Sequence, residues 1–380
     1  MDTLILDIVG ADRGFNVQAD LVDQTADGIN VNTLWDEYQE SLNIWNAGRS
    51  ALIAFLTFPV QELVEFIPTA SGDDMEKASE FGVPQAIRGD VGGEYFGYAF
   101  DWFDAATRFT WKFLANAPAN RVNAVHQAAL EADNRLMFRM VFGALFYNQN
   151  RTNDEGNRVV SLYNGTDGTV PPEYRGKTFT SSHSHYLVSG AATIDSGDIE
   201  GLIDTIAEHG YGPAEGSQII ILANKQEVDR IRTWRANTAN SNGSTALYDF
   251  IPASGQPSLL LPNTGLLGSL PPTSWNGLTV TGSYGNALII EEAYIPAGYV
   301  VAFATGGAAA LGNPVGLREH ANPGLRGLRL INGERQGFPL INSYYQRGAG
   351  TGIRNRGAAA ILQVKASGGY TAPSIYPVVA

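Results

Sequence analysis

The sequence of residues 117–148 is APANRVNAVHQAALEADNRLMFRMVFGALFYN, and it has the pattern of one long helix. Asn116 is placed to cap this helix, and Pro118 suits its first turn, where a missing N–H costs no hydrogen bond. At about 1.5 Å per residue the helix is on the order of 45 Å long. The pattern fits an ordinary core helix as well as a structural spine. Its apolar stripe consists of Val122, Val125, Ala129, Ala132, Leu136 and Met140.

The segment ahead of the helix is predicted to be extended and rich in aromatic residues. Residues 51–67 and 94–114 have strand-like composition and flank an excursion at 69–93 that contains Gly, Asp and Pro. Together they predict a two-stranded excursion over residues 51–116. Because a lone ribbon is marginal in water and only one of its faces can lie on its own chain, we expect its aromatic rings to contact a partner chain.

The remaining segments predict an arm and a mixed α/β body. Residues 1–33 lack periodicity and predict an extended arm, and residues 33–47 predict an amphipathic helix capped by Thr33. Asp195 or Ser196 caps a further helix that ends at Gly210. A second helix is predicted at 224–235, a long loop at 236–276, and strands at 158–163, 176–181, 184–189, 218–223, 278–282, 287–292, 299–303, 338–346 and 356–365.

Composition limits the possible functions. The chain has 380 residues, 44% hydrophobic and 17% charged, which is enough for two or three domains with their own cores. A net charge of −13 argues against general nucleic-acid binding, which needs clustered Lys and Arg. The absence of cysteine excludes disulfides, thiolate metal sites and a cysteine nucleophile. Because the sequence has neither a secretory signal nor a long apolar run, we expect a soluble protein made in a cytoplasm.

Few residues suggest chemistry. His183 and His185 form an H-x-H pattern on a predicted strand, so their rings point to one side and could supply half of a metal site. Asp195 and Asp198 are the only close carboxylates, so a structural role for the two rings is favoured over metal binding. His126 is expected to be a satisfied polar position of the long helix. The sequence contains no nucleophile elbow, P-loop or dinucleotide-binding motif.

Four stretches resemble segments of capsid proteins of actinobacterial phages. They are HSHYLVSGAATIDSGDIEGLIDTIAEHGYGP (183–213), SQIIILANKQEV (217–228), EEAYIPAGYVVAFA (291–304) and GIRNRGAAAILQVKASGGYTAPSIY (352–376). Their order resembles the major capsid protein of tailed double-stranded DNA bacteriophages, with the Hong Kong 97-type fold. That resemblance implies an α+β chain with an N-terminal arm (1–50), an extended two-stranded loop (51–116), a peripheral domain with the spine helix 117–148 (117–190), an α/β axial domain (191–325), and return strands of the peripheral domain with a tail (326–380).

The resemblance also implies a function. The chain is expected to be a structural protein without enzymatic activity or cofactor, which self-assembles as pentamers and hexamers into an icosahedral shell around the phage genome. Expected partners are portal and scaffolding proteins and, through weak non-specific contacts, the packaged double-stranded DNA, but no membrane. The expected location is the virion capsid, assembled in the host bacterial cytoplasm. Many family members carry a cleaved N-terminal scaffolding segment that this sequence lacks, which implies a separate scaffolding protein or none.

Several residues are predicted to act between subunits. The expected anchors are Trp35 and Trp45 on the arm and Trp102, Phe103 and Trp111 on the loop. Some members of the family cross-link a loop lysine to an asparagine of a neighbouring subunit.

By resemblance, a cross-link of this kind would join Lys77 to Asn355, or to Asn342, of a neighbouring subunit.

Two alternative functions remain open at the level of sequence. One is an encapsulin-type nanocompartment shell, and the other is a metal-dependent hydrolase using His183 and His185.

Overall fold

A computed structural model of the chain describes residues 24–48, 50–69, 75, 77–78, 80–83, 92–175, 177–254, 270–332 and 340–376. Residues 1–23 of the predicted arm and residues 255–269 of the predicted loop lie outside this part. The described helices are α1 (Val31–Ala47), α2 (Ala51–Leu56), α3 (Trp111–Asn116), α4 (Ala119–Phe146), α5 (Ser196–Ala207) and α6 (Lys225–Ile231). Among the described residues, none of the helices combines the length and the apolar content needed to cross a lipid bilayer.

The chain divides into two compact units. The first unit comprises the described residues of Met1–Ala47, Phe103–Asp133 and Leu328–Arg347. The second unit comprises Gly48–Trp102, Asn134–Gly327 and Gly348–Ala380. Each unit brings together pieces that are distant along the chain. The segment boundaries that the resemblance implies stay a prediction.

The core of the first unit is built by α1 on the first half of α4. The predicted helix at 33–47 is confirmed, but it begins at Val31. Thr33 is therefore not its cap, and Asn30 takes that place, because its Oδ1 accepts a hydrogen bond from the Asn32 N–H at 2.8 Å. Buried residues of this core include Leu34, Trp35, Tyr38 and Leu42 of α1, with Phe109, Leu114, Val122, Leu130, Leu328, Leu330 and Tyr345.

Helix α4 confirms the long predicted helix, with 28 residues, but not its predicted cap. Asn116 ends α3 instead, and its side-chain amide donates to the Lys112 carbonyl at 2.7 Å. The carboxylate of Asp27 supplies the missing acceptor, with both oxygens 3.1 Å from the Ala119 N–H. The second half of α4 is buried almost all round, at Met137, Phe138, Met140, Val141, Phe142, Leu145 and Phe146.

A strand ladder accompanies the helices of the first unit. Strands β16 (Arg329–Asn332) and β17 (Leu340–Ile353) pair antiparallel, and β4 (Asp101–Thr110) also pairs with β17. The predicted strand at 94–114 is wrong over its last residues, where α3 begins. The Thr110 hydroxyl accepts a hydrogen bond from the Phe113 N–H at 3.0 Å, and this cap turns the chain into a helix.

A seven-stranded sheet forms the main core of the second unit, with α5 and α6 packed on it. The predicted α5 is confirmed with its start, where Asp195 and Asp198 form a reciprocal capping box. In sheet order the strands are β7 (Tyr186–Val188), β18 (Ala359–Gln363), β14 (Tyr299–Thr305), β8 (Gln218–Ala223), β13 (Ala287–Glu291), β12 (Gly282–Tyr284) and β9 (Phe250–Pro252).

Smaller ladders complete the second unit. Strand β1 (Thr57–Val60) runs parallel to β15 (Val315–Glu319), which pairs antiparallel with β17. The remaining pairs are β2 (Val64–Thr69) with β3 (Gly92–Gly97), β5 (Arg151–Thr152) with β6 (Arg158–Val159), and β10 (Ser274–Trp275) with β11 (Leu278–Thr279).

Three strand predictions in this unit are corrected. Residues 51–56 form α2 rather than the predicted strand. The sequence pattern could not distinguish helix from strand here, because a run of apolar residues has the periodicity of neither. In the predicted strand 176–181, the residues from Lys177 onward contribute only an isolated bridge, after a left-handed turn at Arg175 with φ 48°. The predicted strand 158–163 is confined to β6.

Candidate assembly surfaces and a histidine cluster

The ladder of β2 and β3, called the hairpin below, exposes aromatic side chains. The two strands pair in a register that sets Phe66 opposite Tyr95, with ring centroids 5.1 Å apart. Phe66 is 40% exposed and Tyr95 is 64% exposed. The neighbouring Phe96 points to the other face and is buried, as strand alternation requires. One face of the hairpin therefore lies against the chain, and the other presents two large rings to the surroundings.

Apolar side chains between the two hairpin strands are even more exposed. Met75, Phe81 and Val83, which belong to the described residues of this segment, are each more than nine-tenths exposed. Side chains of this type normally lose most of their contact with water when a protein folds or assembles. The hairpin and these three residues form one candidate assembly surface along the sequence.

Two of the predicted anchors serve the core of their own chain. Trp35 is only 6% exposed and packs its ring against Tyr38 and Phe109, with centroid distances of 5.6 and 6.1 Å. Trp45 is half-buried and donates its indole N–H to Asp133 at 3.0 Å. The contacts that the structure gives these two rings are therefore intramolecular.

The other predicted anchors are more accessible. Trp102 is 41% exposed and Trp111 is 44% exposed, whereas Phe103 is half-buried. The Trp102 ring stands edge-on to Phe100 at 5.4 Å. An inter-subunit role for these residues stays a prediction. The exposed Phe66 and Tyr95 of the hairpin are not among the anchors predicted from the sequence.

The hypothetical cross-linking residues differ in their surroundings. Lys77 is exposed in the segment between β2 and β3. Asn355 donates its side-chain amide to the carbonyls of Leu311 and Asn313, both at 2.7 Å. This amide therefore helps to fix a loop of its own chain, and the cross-link stays a prediction.

The second unit contains a cluster of three histidines. His183 and His185 stand at the entrance to β7, and His209 follows the end of α5. Nε2 of His183 lies 3.2 Å from Nε2 of His185 and 3.0 Å from Nε2 of His209. One nitrogen from each ring can be chosen so that all three lie within 4.8 Å of one another. Three imidazoles therefore converge on one point, which the H-x-H pattern alone did not reveal.

Neighbouring groups fix these rings. Nδ1 of His185 donates to the Ala359 carbonyl at 2.8 Å. The His209 ring stacks on Phe179 with a centroid distance of 3.6 Å and an interplanar angle of 10°. Burial lowers the pKa of His185 to about 3 and that of His209 to about 4. Burial also lowers the pKa of His183, although the nearby carboxylate of Glu208 opposes the shift. All three imidazoles are therefore neutral at pH 7.

Comparison with known proteins shows the family. No family model matches the chain, and no curated protein does. A solved structure from Mycobacterium phage Patience is 46% identical to this chain and covers 97% of it and 98% of its own chain, with a TM-score of 0.75. The asymmetric unit of the bacteriophage PhiM1 mature capsid shares the fold, with a TM-score of 0.50 at 8% identity over 84% of this chain and 89% of that one.

The chain belongs to the major capsid proteins of tailed bacteriophages. This capsid protein is a structural component of the shell that encloses the phage genome, and its place is the virion capsid. Identity of 46% over nearly the full length to a phage protein favours this function over the encapsulin and hydrolase alternatives. The exposed hairpin rings are then candidate contacts between copies of the capsid protein.

Proposed function

We propose that the capsid protein builds an icosahedral shell of pentamers and hexamers with the Hong Kong 97-type arrangement. In this proposal α4 is the spine helix of a peripheral domain, and residues 191–325 form an axial domain. The hairpin is the part of the extended loop predicted at 51–116 that contacts a neighbouring subunit. Assembly in the host bacterial cytoplasm, with portal and scaffolding proteins as partners, belongs to the same proposal.

The exposed rings of the hairpin carry this proposal. Phe66 and Tyr95 stand side by side on a two-stranded ribbon, which is marginal in water without further packing. Aromatic side chains of this kind are typical anchors of protein interfaces, where they bury large areas at low entropic cost. A neighbouring subunit that covers the hairpin would supply the missing surface.

The proposed role is structural rather than catalytic, and contact with DNA is expected to be weak. The net charge of −13 gives the shell little affinity for phosphate, because non-specific binding needs clustered cations. A shell that encloses DNA without holding it tightly allows the genome to be packaged and released. Trp102, Phe103 and Trp111 are secondary candidates for contacts between subunits, while Trp35 and Trp45 are expected to stabilise the subunit itself.

The test combines a double substitution in the hairpin with a matched control. Phe66→Ser with Tyr95→Ser removes both rings, and we expect a folded chain that forms no closed shells in electron micrographs. The control is Val170→Ser with Leu311→Ser, which removes side chains that are 49% and 65% exposed outside the hairpin. The control should assemble normally. Normal shells from the hairpin variant would contradict the proposal, and circular dichroism of both variants verifies that they fold.

A further inference from the structure

We propose that His183, His185 and His209 together bind one divalent transition-metal ion of the zinc class through their Nε2 atoms. A metal at about 2.0–2.1 Å from each nitrogen, in tetrahedral geometry, holds its ligand nitrogens about 3.3–3.4 Å apart. The two Nε2 distances from His183, 3.2 and 3.0 Å, are within a few tenths of an ångström of that spacing. Two of the three ligand spacings are therefore close to those that a metal would require, and one nitrogen of each ring lies within 4.8 Å of the other two.

The protons of the cluster point to a cation between the rings. Because the Ala359 carbonyl can only accept, Nδ1 of His185 carries the proton, and Nε2 of the neutral ring presents a lone pair. Nδ1 of His183 lies 3.4 Å from a carboxylate oxygen of Glu208, which favours the same tautomer. Two lone pairs then face each other at 3.2 Å. A bound metal removes this repulsion.

Hydrogen bonds alone cannot satisfy the cluster. Nε2 of His183 is close to two other ring nitrogens, but an imidazole nitrogen has either one proton or one lone pair. It can therefore make only one of these two contacts as a hydrogen bond. Nδ1 of His209 is buried and has no hydrogen-bond partner among the described residues, so no protein acceptor or donor fixes its tautomer. A metal ion accepts all three lone pairs at once.

The surroundings suit a structural metal site. His185 is fully buried and His209 is 6% exposed, while His183 is half-buried and leaves the site open on one side. The Ala359 carbonyl accepts from Nδ1 of His185, and the Glu208 carboxylate faces Nδ1 of His183. Carbonyls and carboxylates are the usual partners of the second ring nitrogen in metal-binding histidines. Imidazole ligands suit zinc, copper and nickel, whereas magnesium and calcium prefer oxygen. The fourth position would be taken by water, because the Glu208 oxygen that lies 3.6 Å from Nε2 of His209 is the one that faces Nδ1 of His183.

A metal here would join two elements of the second unit. His209 lies at the end of α5, and His185 is hydrogen-bonded into the sheet edge, where its carbonyl accepts from the Ile361 N–H at 2.8 Å. The ion would fix the end of the helix to strands β7 and β18. In a chain without cysteine, it would take the place of a covalent cross-link in the subunit.

The first experiment uses zinc and cobalt(II) salts with the full-length wild-type chain after treatment with a chelator. We expect one equivalent of zinc to bind and to raise the melting temperature by several degrees. Cobalt(II) should give the intense visible bands of a tetrahedral complex, and X-ray absorption of the zinc form should show imidazole ligands. If the folded wild-type chain bound less than one equivalent of zinc, or bound zinc without saturation, the proposal would be overturned. This outcome does not depend on the folding of any variant.

The second experiment compares His209→Gln with His320→Gln. His320 is half-buried outside the cluster, in ring contact with Trp102, and serves as the matched control. Loss of one of three ligands should weaken zinc binding at least about 100-fold, since loss of outer partners alone costs 10–100-fold. His320→Gln should bind zinc as the wild type does. Equal zinc affinity in His209→Gln, or equal loss in the control, would contradict the three-histidine site.

Discussion

Removing Asp133 is expected to destabilise the first unit strongly. Its carboxylate forms a bidentate ion pair with Arg347, to Nε and, at 2.7 Å, to Nη2, and accepts the indole N–H of Trp45 at 3.0 Å. The Asp133 and Arg347 side chains are only 3% and 7% exposed. This group therefore ties α1, α4 and β17 together in a region that water hardly reaches.

The magnitude follows from what Asp133→Ala leaves behind. A guanidinium that stays buried without its counter-charge costs about 3–5 kcal/mol. The half-buried Trp45 N–H also loses its acceptor, but nearby water can replace it in part, so this adds less than the full 1–3 kcal/mol of a buried orphan. We expect the free energy of unfolding to fall by about 4 kcal/mol. The assay is urea unfolding of the unassembled full-length chain, followed by tryptophan fluorescence.

Two further variants separate the orphaned charge from the loss of contacts. Asp133→Leu combined with Arg347→Met removes both charges at similar volume, and we expect it to recover most of the loss. Glu40→Ala, at an exposed position on α1, should change the free energy of unfolding by less than about 0.5 kcal/mol. A loss below about 1 kcal/mol in Asp133→Ala, or an equal loss in the double variant, would refute the argument.

Four other substitutions test single features of the second unit. Gly350→Ala should prevent stable folding, because a Cβ there would lie 1.9 Å from the Ala99 carbonyl oxygen, whereas Gly201→Ala, with open space on α5, should raise the melting temperature. Burial raises the pKa of Asp198 to about 6, so the folded state favours the protonated form of this carboxyl group more than the unfolded state does. Urea titrations should therefore show stability falling by about 1–2 kcal/mol as the pH rises from 4 to 7, and Asp198→Asn should lose this part of the pH dependence. Arg356→Lys should lower the unfolding free energy by about 1–3 kcal/mol, since the ammonium cannot reach every acceptor of the fully buried guanidinium and leaves at least one without a partner.

Elements whose sequence signals lie within a few neighbouring residues could be predicted from the sequence. Helix α5 was predictable with its start because Asp195 and Asp198 place the capping box three residues apart. Strand β8 was predictable because a short run of Ile and Leu between polar residues suits a strand buried on both faces. The length of α4 followed from its apolar periodicity.

Features that depend on distant residues were not predictable. Asp27, which caps α4, is separated from Ala119 by 92 positions, so the nearer Asn116 seemed the better cap. His209 is 26 positions from His183 and follows a helix, with no spacing that links it to the H-x-H pattern. The segment 51–56 is apolar throughout and gave no periodicity to separate helix from strand. Only the folded chain brings such residues together.

Cryo-electron microscopy of the particles that the full-length chain forms is the most direct test of the proposed shell. We predict a closed icosahedral shell in which Phe66 and Tyr95 of each hairpin are covered by a neighbouring subunit. Particles in which both rings remain exposed to solvent, or a chain that forms no closed shell under any condition of assembly, would contradict the account.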